Sequence, residues 1–153
     1  MSIKDAHNRL VDYAYRLGVN IEYSGRHAEY DTDEAIIYIP KKYYLTMPGL
    51  AMLLHEVGHI CQPAAPYIIN SKNDLAGMRQ AILWYENNAW DTALTIARDL
   101  YNNTAMRKSR HIQLINLIYK DRKYCMNEYT KAIYTYKKSA VKHIYEGYTL
   151  DNQ

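Results

Sequence analysis

Leu50-Ala51-Met52-Leu53-Leu54-His55-Glu56-Val57-Gly58-His59-Ile60-Cys61 is the stretch on which the fold turns. Leu50, Leu53, Leu54, Val57 and Ile60 recur at helical spacing and form one apolar stripe. Thr46 and Pro48 are helix-start signals and Pro63 is a stop, so the pattern predicts a helix over residues 47–62. His55 and His59 are i and i+4 on that helix, and such residues lie one above the other on one face. They can offer two imidazole nitrogens to one metal ion. Glu56 sits a step around the helix, within reach of a metal-bound water. This H-E-x-x-H spacing divides the labour that amide hydrolysis needs: two neutral ligands hold Zn²⁺, the metal acidifies water, and a carboxylate takes the proton. The competing reading is a pair of satisfied core histidines. The apolar flanks weigh against it, because two imidazoles and a carboxylate are costly in a core unless something binds them.

Upstream, residues 3–17 predict a first helix with Leu10, Val11, Ala14, Tyr15 and Leu17 on its apolar side and Gly18 as its stop. Val19-Asn20-Ile21-Glu22-Tyr23 alternates as a strand does, a second strand is expected near residues 27–30, and Asp31-Thr32-Asp33 reads as a turn. Ala35-Ile36-Ile37-Tyr38-Ile39 is the strongest strand signal and ends at Pro40. These segments make a small antiparallel sheet of about three strands.

Downstream, a loop over residues 63–71 contains Pro63 and Pro66. A long helix follows over about 73–101, with Leu75, Met78, Ile82, Trp84, Tyr85, Ala89, Ala93, Ile96, Ala97 and Leu100 expected inside, and Asn102-Asn103-Thr104 as its break. Two more helices are expected, over 105–119 (Ile112, Ile115, Leu117 and Ile118 inside) and over 125–146 (Met126, Tyr129, Ile133, Tyr136, Ala140 and Ile144 inside). The expected fold class is therefore α+β, with a small sheet packed on about five helices in one domain spanning residues 1–153.

A catalytic zinc has three protein ligands and one open position. Glu86, in Trp84-Tyr85-Glu86-Asn87-Asn88-Ala89-Trp90, is a carboxylate in an otherwise apolar stretch of the long helix. It shares a face with Ile82, Trp90 and Ala93, where an unpaired carboxylate is expensive and a metal held by His55 and His59 would neutralise it. A surface glutamate is the alternative. Cys61 is a conceivable extra ligand but reads better as a small core residue.

Residues 3–101 resemble the zinc peptidases of the ImmA/IrrE type, a compact gluzincin-like group. The resemblance rests on Leu17-Gly18-Val19 closing the first helix, the strand Ile36–Ile39, the His55-Glu56-Val57-Gly58-His59 helix and Glu86-Asn87-Asn88-Ala89. It implies a zincin-like fold, metal ligands His55, His59 and Glu86 in an H-E-x-x-H…E-x-x-A pattern, and Glu56 as general base. Members are often encoded by phages or mobile elements and cleave a repressor partner, and others regulate stress responses. The family commonly has Asn after the Ala of E-x-x-A, where this chain has Trp90. Residues 105–153 carry no motif of the family and form a basic, Tyr-rich extension.

Composition agrees with a helical domain: 6 Gly and 4 Pro in 153 residues, with 17 Tyr and no Phe. The N-terminus lacks the apolar core of a secretory signal, no run is long enough to span a bilayer, and Cys61 and Cys125 form no C-x-x-C pair. A cytoplasmic protein with free thiols is expected. Residues 1–104 hold 9 Lys+Arg against 12 Asp+Glu, whereas residues 105–153 hold 10 against 4, so the chain is acidic early and basic late. That charge makes an acidic partner or nucleic acid conceivable, but the dispersed lysines favour a solvated helical face.

The expected substrate is a protein or peptide. An oxyanion donor is needed, with Tyr85 and His111 among the candidates, and each ligating histidine needs an acceptor for its other N–H, with Asp91 or Asn88 available. If strand 35–39 is an edge strand, an extended substrate can pair with it. Two other readings stand beside the peptidase. In one, the same ligands hold a zinc-stabilised interaction protein without activity. In the other, Tyr124, Tyr129, Tyr134 and Tyr136 among Lys123, Lys131, Lys137 and Lys138 serve nucleic acid, although their helical spacing suits core and boundary positions better.

Overall fold

The computed structural model describes residues 2–63, 74–101 and 108–151, and the side chains of all of these except 108–112 and 149–151. The chain runs α1 (Ile3–Arg16), β1 (Asn20–Tyr23), β2 (Glu29–Asp31), β3 (Ile36–Ile39), a 3₁₀ turn (Lys41–Tyr43), α2 (Met47–Cys61), α3 (Leu75–Tyr101), α4 (Lys108–Thr135) and α5 (Lys138–Asp151). The described residues make an α+β fold of five helices and one three-stranded sheet, as expected. The expected loop at 64–71 and the expected break at 102–104 lie outside the described residues.

Ser2 and Asp5 start α1 with a reciprocal capping box: the Ser2 hydroxyl accepts from Asp5 N at 3.1 Å, and the Asp5 carboxylate accepts from Ser2 N at 3.0 Å. Ala6, Leu10 and Ala14 face the core, and Gly18, at φ 81°, turns the chain into β1. Tyr15 and Leu17, expected inside, are exposed, because the buried stripe runs through Ala6, His7, Leu10 and Ala14 instead.

The sheet order is β1-β3-β2. β2 pairs antiparallel with β3, but β1 pairs parallel with β3, with Asn20 opposite Ile36 and Tyr23 opposite Ile39. The sheet is mixed, which corrects the antiparallel expectation. Asp31 accepts from the backbone of Asp33 and Glu34 at 3.0 Å, tightening the turn that brings β3 back along β2. β1 then takes the other edge of β3. The most apolar strand is thus the central one, with Ile37 and Ile39 fully buried. β3 has no edge to offer a substrate; the edge strands are β1 and β2, and of these β2 borders the cleft described below.

Thr46 caps α2 by accepting from Gly49 N at 3.0 Å, with Pro48 in the first turn where a missing N–H costs nothing. α2 lies along α3 in the most extensive helix pairing of the fold. Leu50, Leu53, Leu54 and Val57 join Trp90, Ala93, Leu94 and Ala97 in the main core, which Leu114 and Ile118 of α4 complete. A second, smaller cluster of Met78, Ile82, Ile133 and Val141 binds α3 to α4 and α5.

The C-terminal helices differ from expectation. α4 runs unbroken through Lys120-Asp121-Arg122-Lys123-Tyr124, because that polar run contains no Gly or Pro and Arg122 reaches α3, meeting Asp91 at 2.6 Å and Asn87 at 3.2 Å. The break falls instead at Tyr136 and Lys137, where Arg79 donates to the carbonyls of Ile133, Tyr134 and Tyr136 at 3.2–3.4 Å. With the register so divided, Tyr136 and Ala140 are exposed rather than buried. Tyr124 and Tyr134 are also exposed, so only Tyr129 of the four C-terminal tyrosines faces inward.

Candidate metal centre

Gly58 decides how close α2 comes to α3. A β-carbon built on Gly58 would lie 2.2 Å from the Ala89 carbonyl oxygen, so only glycine permits this approach. It sets His55 and His59 of α2 against Glu86 of α3. Nε2 of His55 is 3.0 Å from Glu86 Oε2, and Nε2 of His59 is 3.3 Å from the same oxygen. These three residues form a group able to hold a metal ion, and it is the one such group among the described residues.

The other ring nitrogens are treated unequally. His59 Nδ1 donates to Gln62 Oε1 at 2.9 Å. Gln62 is buried and stands just past the end of α2, so the same helix supplies the ligand and the group that orients it. His55 Nδ1 is buried and has no hydrogen-bond partner. Trp90 lies nearly flat on the His55 ring, 4.1 Å between centroids at 27°, and fixes its plane. That is the position where the resembling family commonly has Asn. Of the two acceptors expected to serve the histidines, Asp91 instead pairs with Arg122, and Asn88 Oδ1 is buried without a partner.

The charges fit a cation. Burial opposes ionisation of Glu86, but the hydrogen bonds and charges of His55 and His59 overcome it and hold the carboxyl well below its usual range. Burial likewise opposes the charge on His59, yet the hydrogen bond and charge of Glu86 push it up to about 9. The pocket between α2 and α3 therefore gathers carboxylates that a cation at the two histidines would neutralise. Glu56 is 8% exposed and lines the same cleft, and burial raises its pKa.

The cleft has a volume of about 1120 Å³. Ala28, Glu29 and Tyr30 bring in edge strand β2, Met52 and Trp90 supply apolar surface, and α4 contributes Asp121, Tyr124, Cys125, Met126 and Tyr129. Cys61 lies outside the cleft, with Sγ 3.9 Å from the Tyr13 hydroxyl.

Sequence reasoning missed Tyr148. This α5 residue donates a short hydrogen bond to Glu86 Oε1 and stacks on Tyr85, 5.1 Å between centroids at 8°. Burial, with the charge of Glu86, pushes its phenol far above the usual range, so it remains a donor. No local pattern marks it, because α5 reaches the site only by folding back across α3. Tyr85, an expected oxyanion donor, is buried behind Tyr148 and does not line the cleft. The side chain of His111, the other candidate, lies outside the described residues.

No helix among the described residues is long and apolar enough to cross a membrane. Comparison with protein families, with curated proteins and with solved structures finds no match to this chain.

Proposed function

We propose that the chain is a zinc-dependent endopeptidase of the zincin type, acting on a specific protein partner such as a repressor or regulator. The observation that carries this reading is one oxygen, Glu86 Oε2, set 3.0 and 3.3 Å from the Nε2 atoms of His55 and His59 beside the buried Glu56. Zinc bonds of 2.0–2.2 Å in a tetrahedron put neighbouring donors about 3.3–3.6 Å apart. The observed spacings are within a few tenths of an ångström of that edge. Two imidazoles and one carboxylate are also the donor set of catalytic zinc sites.

Zn²⁺ held by His55, His59 and Glu86 would supply Lewis acidity, lowering the pKa of a water to about 7 and polarising the scissile carbonyl. Glu56 takes the proton from the attacking water and returns it to the departing amine. Buried beside the two histidines and lining the cleft, it is placed to hold that proton between the two steps. Strand β2, at the edge of the sheet and along the cleft, is where an extended peptide adds in β-fashion. The cleft exceeds the ~300–1,000 Å³ of small-molecule pockets, which supports a peptide as occupant. Its lining holds Glu29, Glu56, Glu86 and Asp121 against Arg26, a balance that repels phosphate and argues against nucleic acid there. A purely structural zinc is disfavoured by the same cleft, since structural sites are closed by four protein ligands and three donors converge here among the described residues.

Elemental analysis tests the metal: about one zinc per chain is expected, and its loss in His59→Ala and Glu86→Ala. The zinc-loaded chain is then incubated with an unfolded protein and cleavage is read by mass spectrometry. Glu56→Gln should keep the zinc and lose ~10²–10⁴-fold of the rate. Absence of zinc uptake, or a Glu56→Gln variant as fast as the parent, would sink the proposal.

A further inference from the structure

The two oxygens of Glu86 are held by different parties. Oε2 faces both histidine Nε2 atoms, while Oε1 accepts the hydrogen bond from Tyr148. We infer that Tyr148 is a positioning residue that makes Glu86 a one-oxygen metal ligand and so keeps a coordination position open for water and substrate. The inference rests on the metallopeptidase reading above and adds to it a role for the C-terminal helix.

Carboxylates bind metals through one oxygen or two. With one oxygen from Glu86, the protein would fill three positions of a tetrahedral zinc and leave a fourth for water. With two, Glu86 would take that fourth position or force a crowded five-coordinate site. The phenol hydroxyl biases the choice by taking a lone pair of Oε1 and weakening that oxygen as a donor. Its own placement is fixed from several sides. The ring stacks on Tyr85 and lies 5.9 Å from the His59 ring, and Tyr129 of α4 lines the same cleft. Tyr85 is one residue from Glu86 on α3, so the stack ties the phenol to the helix that carries its acceptor. Outer hydrogen bonds of this kind commonly govern metal affinity or activity by ~10–100-fold.

The test is the visible spectrum of the full chain loaded with Co²⁺ in place of zinc, because four- and five-coordinate cobalt differ strongly in absorption intensity. The parent is expected to give the intense four-coordinate spectrum. Tyr148→Phe, which keeps the ring and its stack, should give the weaker five-coordinate one, with kcat on the zinc-loaded protein down ~10–100-fold. Identical cobalt spectra for parent and variant would overturn the inference while leaving the peptidase reading intact. A parent that takes up no metal overturns both. A parent that binds cobalt but cleaves nothing overturns the peptidase reading alone, and the spectra still decide the role of Tyr148. Zinc-edge X-ray absorption of the loaded parent provides a reading independent of how the variant folds. One Glu86 oxygen at the metal supports the inference, and two overturn it.

Discussion

Gly58 and Ala89 meet backbone to backbone: a β-carbon on Gly58 would sit 2.2 Å from the Ala89 carbonyl oxygen and 3.2 Å from Ala93 N. The second unnamed position of H-E-x-x-H and the alanine of E-x-x-A are thus the two halves of one contact. It explains why the histidines of α2 reach a carboxylate on α3 at hydrogen-bond distance. Gly58→Ala must push the helices apart, since the obstacle is backbone and cannot swing away. Overpacking of this kind costs ~1–3 kcal/mol. Urea unfolding of the metal-free protein should show that loss, and a zinc titration should show weaker binding as the donors separate. Unchanged values in both measurements would mean that the helices do not depend on this contact.

Much of this site was legible in the sequence because its signals are local. His55, Glu56 and His59 are fixed by helical spacing alone, and Glu86 stands out as a lone carboxylate between Ile82 and Trp90 on a buried face. What was illegible depends on contacts between distant segments. Three strands in succession read as antiparallel, but which of them takes the centre is set by burial, and Ile37 and Ile39 put β3 between the others. Tyr148 and Gln62 carry no signal of their own. They matter only through the groups that the fold brings to them, Glu86 Oε1 and His59 Nδ1.

Gln62 offers a sharper test of the metal reading than loss of a ligand does. Its Oε1 accepts from His59 Nδ1, which leaves Nε2 to face the metal, while its own Nε2 is buried without a partner. Gln62→Leu removes the orphaned Nε2 but orphans His59 Nδ1 in its place, so the two effects offset and folding stability should change little. Zinc affinity should fall ~10–100-fold, measured by competition with a chelating dye. Full affinity in Gln62→Leu would show that the His59 orientation is held by other means.

His7 should give the fold an acid-sensitive limb away from the metal. It is buried, its Nε2 accepts from the Tyr23 hydroxyl, and its ring meets Tyr44 edge-on at 5.6 Å. Burial lowers its pKa from 6.5, and burial also raises Tyr23 to about 12, so the phenol stays the donor and the imidazole stays neutral. The folded state therefore binds the proton less readily than the unfolded chain does. Stability from this group is complete above pH 6.5 and declines as pH falls from there through the lower folded pKa. His7→Phe keeps the aromatic packing and cannot titrate. The difference in unfolding free energy between parent and variant should shift toward the variant below pH 6.5 and be flat above it. A difference independent of pH would count against a neutral His7.

Arg79 holds the junction that sequence reading placed elsewhere. Its guanidinium donates to the carbonyls of Ile133, Tyr134 and Tyr136 at 3.2, 3.3 and 3.4 Å, satisfying the end of α4 with a cation where the helix dipole is negative. The ring of Tyr134 lies 5.0 Å from the same group. Arg79→Met keeps much of the aliphatic stem and deletes all of these bonds. Charged donors on a partly exposed helix end are worth ~1–2 kcal/mol together, well below their sum, because water replaces what is lost. Hydrogen exchange should quicken in the α4–α5 turn and urea unfolding should move to lower concentration. Zinc uptake should persist, since His55, His59 and Glu86 all stand on α2 and α3 and α5 adds only the Tyr148 hydrogen bond to Glu86. If zinc uptake were lost as well, the docking of the C-terminal helices would be needed to hold Glu86 and not only to orient it.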